Sequence, residues 1–333
     1  MRTTSYGDSA APFIGFWEGP MQDNASAVSV VPDYPTRPVR LIEPFGAGGG
    51  VDILASALAE KLSELWGQPV TVENHSGGGS TAAPALVATS PPDGYTLLVN
   101  TSAHAYSATL VTDLPYDPLH DFIPVAPLTG QAYVLVAGKT AGVRTLGELI
   151  TAGKARPGEL TFASAGGGTG THVGVEQFNR EAGITAIHVP ASPTDAIVDT
   201  IAKTAAGHTD YAMSPIAIAA PHIRSGQLVA LGVSGARRSA LLPEVPTIAE
   251  AGVAGFDFPI WYGLWAPAGT SDAVVHKLAN DVSRALAVPD LRDWLAAHGA
   301  HQIRMTQAKF ASFVLAESER GARIVKGAAT MLE

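Results

Sequence analysis

The chain of 333 residues contains no cysteine. Disulfides, thiolate-held zinc and thiol catalysis are therefore excluded. Charge is scarce: 15% of residues are charged, with 21 Lys and Arg against 30 Asp and Glu and a net charge of −9. Nucleic-acid binding requires clustered cations, so this balance argues against it. No run of about 18 apolar residues occurs, and no direct membrane insertion is expected. The ten histidines show neither a His-Glu-x-x-His motif nor pairs at helical i, i+4 spacing, and no metal is expected. What the chain does have is apolar residues at 46%, ample for a packed core, with 35 glycines and 24 prolines that mark many tight turns.

The most informative stretch is Leu41-Ile42-Glu43-Pro44-Phe45-Gly46-Ala47-Gly48-Gly49-Gly50-Val51-Asp52. It reads as a strand that breaks into a glycine-rich loop and then a helix. Such a loop leaves backbone N–H groups uncovered at a positive helix terminus, where an anion is favoured. It contains no Lys or Arg, so a small carboxylate suits it better than a nucleotide. Asp52 is the expected N-cap and Gly67 the C-terminal stop of a helix over Ile53–Trp66, with Leu54, Leu58, Leu62 and Leu65 on one face. Val70–Glu73 and Tyr95–Asn100 read as two further strands. The first leads into Gly77-Gly78-Gly79 and a helix over Ala82–Ala88; the second leads into Thr101-Ser102-Ala103-His104. Strands alternating with helices describe a parallel α/β sheet, whose ligands gather beyond the carboxyl ends of the strands.

The same plan recurs from about Ala132. The strand Leu160–Ala163 empties into Ser164-Ala165-Gly166-Gly167-Gly168-Thr169-Gly170-Thr171-His172, and strands at Ile187–Pro190 and Asp210–Met213 follow, the latter ending at Ser214-Pro215. Leu228–Val233 and Trp261–Ala266 come next, then helices at Asp272–Ala287 and Leu291–Gly299. Glu317–Arg320 reads as a solvated helix face. Residues 1–33 read as a loosely ordered leader. The expected division is a discontinuous lobe I of residues 34–130 and 232–333, and a lobe II of residues 131–231.

The ordered motifs resemble those of the tripartite tricarboxylate transporter (TTT) solute-binding proteins, the Bug receptors. They run from Tyr34-Pro35-Thr36-Arg37-Pro38 and Pro44-Phe45-Gly46-Ala47-Gly48-Gly49 with Asp52, through Val72-Glu73-Asn74, Pro92-Asp93-Gly94-Tyr95-Thr96-Leu97-Leu98 and Leu114-Pro115-Tyr116-Asp117-Pro118. They continue with Phe162-Ala163-Ser164, Pro221-His222-Ile223 and Leu242-Pro243-Glu244-Val245-Pro246-Thr247, and end with Trp261-Tyr262-Gly263-Leu264-Trp265-Ala266-Pro267-Ala268-Gly269-Thr270. The resemblance spans about residues 34 to 328 and implies an α/β, type II periplasmic-binding-protein-like clamshell, the Venus flytrap. Each lobe is then a mostly parallel sheet flanked by helices. It further implies a periplasmic receptor, of the TctC kind, that captures a di- or tricarboxylate or an aromatic acid and delivers it to TTT membrane permease subunits. Carried onto this chain, the ligand loops are Phe45–Asp52, Ser76–Thr81 and Ser164–His172. Two departures stand out: Ala191-Ser192-Pro193 replaces the usual Tyr-Lys-Gly, and Ser214 stands where Asp is common.

The candidate ligand contacts are Phe45, Gly46, Gly48, Gly49, Asp52, Ser80, Ser102, His104, Ser164, Gly167, Gly168, Thr169, His172 and Ser214. Each has a plainer reading: Phe45 as core, Asp52 as a cap, Ser164, Thr169 and Thr171 as turn and cap hydroxyls, and His104 and His172 as locally bonded histidines. Neither a G-x-S-x-G elbow nor a phosphate-binding P-loop nor a full dinucleotide fingerprint is present. No catalytic residue and no cofactor are expected. An enzyme on the same scaffold, or a soluble cytoplasmic sensor for a signalling partner, are the alternatives in function.

Overall fold

The computed structural model describes residues 33–77, 80–110, 113–191 and 196–329. The expected leader up to residue 32, Gly78 and Gly79 of the second loop, and Ser192 and Pro193 of the Ala191-Ser192-Pro193 departure lie outside the described residues.

The first sheet begins with Val39–Glu43 (β1), followed by the helix Gly50–Trp66 (α1) and the strand Val70–Asn74 (β2). Ala82–Ala88 (α2), Thr96–Thr101 (β3) and Ala103–Leu110 (α3) complete the opening unit. β1 pairs in parallel with β2 and β3, as the alternation of strand and helix requires. α1 starts at Gly50 rather than after Asp52, because Gly49 in extended backbone takes the N-cap position without a side-chain bond. The stop is as expected, with Gly67 left-handed and its amide donating to the Ser63 carbonyl. Leu65 is not on the buried face and stays exposed. Trp66 covers that turn instead, donating its indole N–H to Asp281 Oδ2 at 2.8 Å.

The 17-residue strand Phe122–Gly138 (β4) organises everything after it. It is followed by Leu146–Ala155 (α4), Thr161–Ser164 (β5), Gly170–Ala182 (α5), Ile187–Pro190 (β6) and Ala196–Ala206 (α6). Tyr211–Pro215 (β7), Ile216–Arg224 (α7) and Leu228–Val233 (β8) follow. The chain then runs through Pro259–Pro267 (β9), Asp272–Leu286 (α8), Pro289–Ala297 (α9), Ala300–Gln302 (β10) and Gln307–Ala329 (α10). The strand order is β2-β1-β3-β9-β4-β7-β5-β6, with β8 and β10 also on β4. The first part of β4, from Phe122 to Ala132, pairs antiparallel with β9. Its last part, from Tyr133 to Gly138, pairs antiparallel with β7 and β8. One strand therefore belongs to two sheets, each a parallel trio extended by antiparallel neighbours, and this makes the two-lobed α/β clamshell. The boundary expected between residues 130 and 131 falls inside β4, and the one at 231/232 falls inside β8.

α10 lies across both halves. Glu317 accepts the Tyr106 hydroxyl of α3 at 2.7 Å and the Trp261 indole N–H of β9 at 3.0 Å, and pairs with Arg320 at 3.3 Å. Arg320 in turn donates to Gln177 Oε1 of α5 at 3.2 Å and to the Asp257 carbonyl. The Glu317–Arg320 run is thus no solvated face: Glu317 and Ser318 are buried, because the turn is wedged against Tyr106 and Trp261.

α4 shows how local sequence fixes an element. Thr145 and Glu148 form a reciprocal capping box, with the Glu148 amide on Thr145 Oγ1 at 3.2 Å and the Thr145 amide on Glu148 Oε2 at 3.3 Å. Thr145→Ala is expected to cost about 1 kcal/mol in urea unfolding; a change below a few tenths would show that packing alone holds α4.

Candidate functional site

β1 ends in a carboxylate that turns back on its own loop. Glu43 is fully buried; its Oε2 accepts the Phe45 amide at 2.8 Å, and its Oε1 accepts the Asn74 side-chain amide. The same Asn74 nitrogen donates to Asp52 Oδ1 at 2.8 Å, while Asp52 Oδ2 accepts the Gly48 amide at 2.8 Å. Asp52 therefore braces the loop from inside the first turn of α1. The Gly49 amide closes on the Gly46 carbonyl at 3.2 Å, and Gly48 has a positive φ of 80°, which favours glycine. The amides of Gly46, Ala47, Gly50 and Val51 have no acceptor among the described residues. Those are the groups left to meet an anion at the α1 N-terminus.

Burial, with Asp52 nearby, pushes the Glu43 carboxyl up to about 7, against the lowering pull of its Phe45 and Asn74 donors.

The loop that follows β5 is also consumed largely by its own turn. Ser164 is buried; its Oγ lies 2.6 Å from His188 Nε2 and accepts the Gly166 amide at 3.1 Å. Thr171 Oγ1 accepts the Ala165 amide at 2.9 Å, and Thr169 Oγ1 donates to the Gly166 carbonyl at 2.8 Å. The Gly168 amide donates to His172 Nδ1 at 3.2 Å, which places the ring proton of neutral His172 on Nε2, facing Glu176 Oε1 at 3.7 Å. The His172 and His188 rings stack at 4.2 Å, with Phe162 against His188 at 4.9 Å. Burial and the neighbouring His188 hold His172 down to about 4, and burial lowers His188 as well. Here the amides of Gly167, Gly170 and Thr171 have no acceptor among the described residues.

Two tyrosines, one from β4 and one from β9, reach the two helix starts. A Cβ on Gly50 would lie 3.2 Å from the Tyr262 hydroxyl of β9, and a Cβ on Gly170 only 2.3 Å from the Tyr133 hydroxyl of β4. Glycine at each helix start is what allows the phenol to sit against it. Tyr262 Oη accepts from Gln131 Nε2 at 2.8 Å, which leaves its own proton to donate. Burial raises both phenols above their ordinary range, so both stay protonated.

The remaining expected contacts are packed into the core or bonded locally through their backbone or side chain. Phe45 is partly buried and packs against the core. Ser80 has a positive φ of 73° and bonds its amide to the Gly77 carbonyl at 3.0 Å. Ser102 is fully buried behind β9, its amide on the Trp261 carbonyl at 2.8 Å. His104 is packed edge-on against Phe122 at 4.7 Å and Trp265 at 4.9 Å, and burial pushes it down to about 3, so it is a neutral core residue in this conformation. Ser214 is buried and its hydroxyl donates to the Pro215 carbonyl at 3.2 Å. Among the described residues no group of three or more His, Asp or Glu could hold a metal, and no helix is long and apolar enough to cross a membrane.

Sequence reasoning missed Glu43, Asn74, Gln131, Tyr133 and Tyr262. A carboxylate ending an otherwise apolar strand, and a tyrosine flanking a glycine in Trp261-Tyr262-Gly263, were the available signs.

The chain as a whole has known counterparts. Residues 54–329 match the model of the tripartite tricarboxylate transporter family receptor. BugT of Bordetella pertussis is 34% identical over 88% of this chain and 90% of its own length. MatC from Rhodopseudomonas palustris, solved with bound malate, superposes with a TM-score of 0.79 at 33% identity, covering 88% of this chain and all (100%) of MatC. An R. palustris protein solved with adipate gives a TM-score of 0.81 at 31% identity, over 89% of this chain and 99% of that one. The chain belongs to the tripartite tricarboxylate transporter receptor family.

Proposed function

We propose that this receptor captures a small organic acid with a carboxylate at one or both ends, holding it between the α1 and α5 helix starts. The observation that carries this reading is the pair of glycine loops, each with unpartnered amides at a helix N-terminus and each abutted by a protonated tyrosine from β4 or β9. Oriented amides favour an anion even on an acidic protein. Relatives solved with malate and with adipate support a dicarboxylate. Gly46, Gly48, Gly49 and Asp52 shape one end of the site, with Phe45 as its wall. Gly167, Gly168, Thr169, Ser164 and His172 shape the other.

Lobe I then comprises the β2-β1-β3-β9 sheet with the first half of β4. Lobe II comprises the β6-β5-β7 sheet with the second half of β4 and β8. The return to lobe I falls at Pro259, because residues 234–258 bond to lobe II: the Ser234 amide donates to the Tyr133 carbonyl at 2.9 Å and the Ile248 amide to the Val233 carbonyl at 2.8 Å. Closing the lobes on the acid biases an open–closed equilibrium, and the closed form is what TTT permease subunits recognise in the periplasm. Capture occurs without chemistry. Ser164 has a histidine partner at 2.6 Å, but its complete burial denies a substrate access to the hydroxyl.

Thermal unfolding against a panel of organic acids tests this. An acid present at about a hundred times its Kd should stabilise the protein by about 2.7 kcal/mol and be recovered unchanged. A folded, ligand-free protein that responds to no acid would overturn the reading; turnover of the acid would make it an enzyme.

A further inference from the structure

We propose that Glu43 couples capture of the acid to uptake of one proton, so that the receptor binds its ligand together with a proton. The inference rests on the carboxylate reading of the α1 loop given above. Its starting point is the arrangement of charge behind that loop. Glu43 and Asp52 are joined through a single amide nitrogen of Asn74, and each also holds one loop amide, Phe45 for the first and Gly48 for the second. A ligand carboxylate on the Gly46, Ala47 and Gly50 amides becomes a third carboxyl group in the same corner. Like charges held this close do not all stay ionised, and the most deeply buried group takes the proton.

That group is Glu43, which is fully buried, whereas Asp52 is partly exposed. Among the described residues no cation is placed to compensate it. Asp52 comes from α1, and Glu73 and His75 come from β2 and the residue beyond it. Arg40 of β1 is already engaged by Glu73 through two bonds of 2.7 Å. β3, Thr96–Thr101, carries no titratable side chain, and the one titratable group of β9 is the Tyr262 phenol, which burial keeps neutral. In the free protein burial already places the Glu43 carboxyl at about 7. An added negative charge in front of the loop moves it only upward.

The balance is simple: the carboxylate of Glu43 gains a proton from solvent as the ligand anion enters, and no other bond changes. The sign follows. Between the free and bound titration points a proton is taken up, so affinity falls as pH rises, by at most about tenfold per pH unit.

Isothermal calorimetry with malate and with adipate, run in phosphate and in Tris at about pH 7.5, tests this directly. The observed heats should differ between the two buffers in the sense of proton uptake, and affinity should fall from about pH 7 to about pH 9. In Glu43→Gln, where one oxygen still accepts the Phe45 amide, the buffer difference should vanish and the pH profile should flatten. Wild-type calorimetry alone decides the matter if that variant does not fold. Binding with buffer-independent heats and pH-flat affinity overturns the proton coupling while leaving carboxylate capture standing. Binding of neither acid, nor of any acid in the wider panel, overturns both.

Discussion

Gly170→Ala is expected to lose at least tenfold in affinity for the acid and about 1–3 kcal/mol in stability. A methyl at that position would sit 2.3 Å from the Tyr133 hydroxyl and 3.3 Å from the carbon that bears it. Tyr133 cannot swing aside: it is buried and its ring stacks on Phe258 at 6.1 Å. The start of α5 must move instead, and with it the amides of Gly170 and Thr171. The companion variants separate packing from binding. Tyr133→Phe removes the clashing oxygen, so the double variant should recover most of the stability. It should not recover affinity, because the hydroxyl donor is gone as well. Gly50→Ala should be milder, its methyl meeting Tyr262 at 3.2 Å. Equal losses at Gly50 and Gly170, or full recovery of binding in the double variant, would contradict a role for the tyrosines at the helix starts.

Glu317→Ala should be the most destabilising single change, at about 3–5 kcal/mol by urea unfolding. It removes a buried carboxylate that pairs with Arg320 and takes away the acceptor for both the Tyr106 hydroxyl and the Trp261 indole, two buried donors. Glu317→Gln keeps an acceptor but drops the charge, and should fall between the alanine variant and the wild type. Because this cluster joins α10 to α3, β9 and α5 at once, the loss is global rather than confined to the helix end. A cost below about 1 kcal/mol would mean that the Glu317–Arg320 pair behaves as a surface ion pair.

These two residues also mark where the sequence was hard to read. The parallel strands were legible, since apolar runs such as Leu97–Val99 lead into polar, hydroxyl or glycine residues. β4 was legible only as the place, near Ala132, where the plan begins to recur. Pro124 and Pro127 argue against a strand, yet both sit beside register shifts in the pairing with β9, where the ladder is already irregular. The start of α1 was placed late because Asp52 looks like a cap, whereas glycine backbone fills that position and Asp52 reaches back to Gly48. Glu317 looked solvated because helix periodicity cannot reveal a partner 211 residues away. The site divides in the same way. The glycine loops stand out in the sequence as local features. Their supports, Glu43 with Asn74 and the tyrosines of β4 and β9, depend on strand pairing across the chain.

The central claim is that free main-chain nitrogens at two opposed helix starts hold the acid. A crystal structure of the protein with adipate or malate tests it most directly. Carboxylate oxygens should lie within about 3 Å of amides among Gly46, Ala47 and Gly50 on one side and Gly167, Gly170 and Thr171 on the other, with Tyr133 or Tyr262 as a further donor. An acid bound away from both loops, or held chiefly by side-chain cations, would contradict the claim.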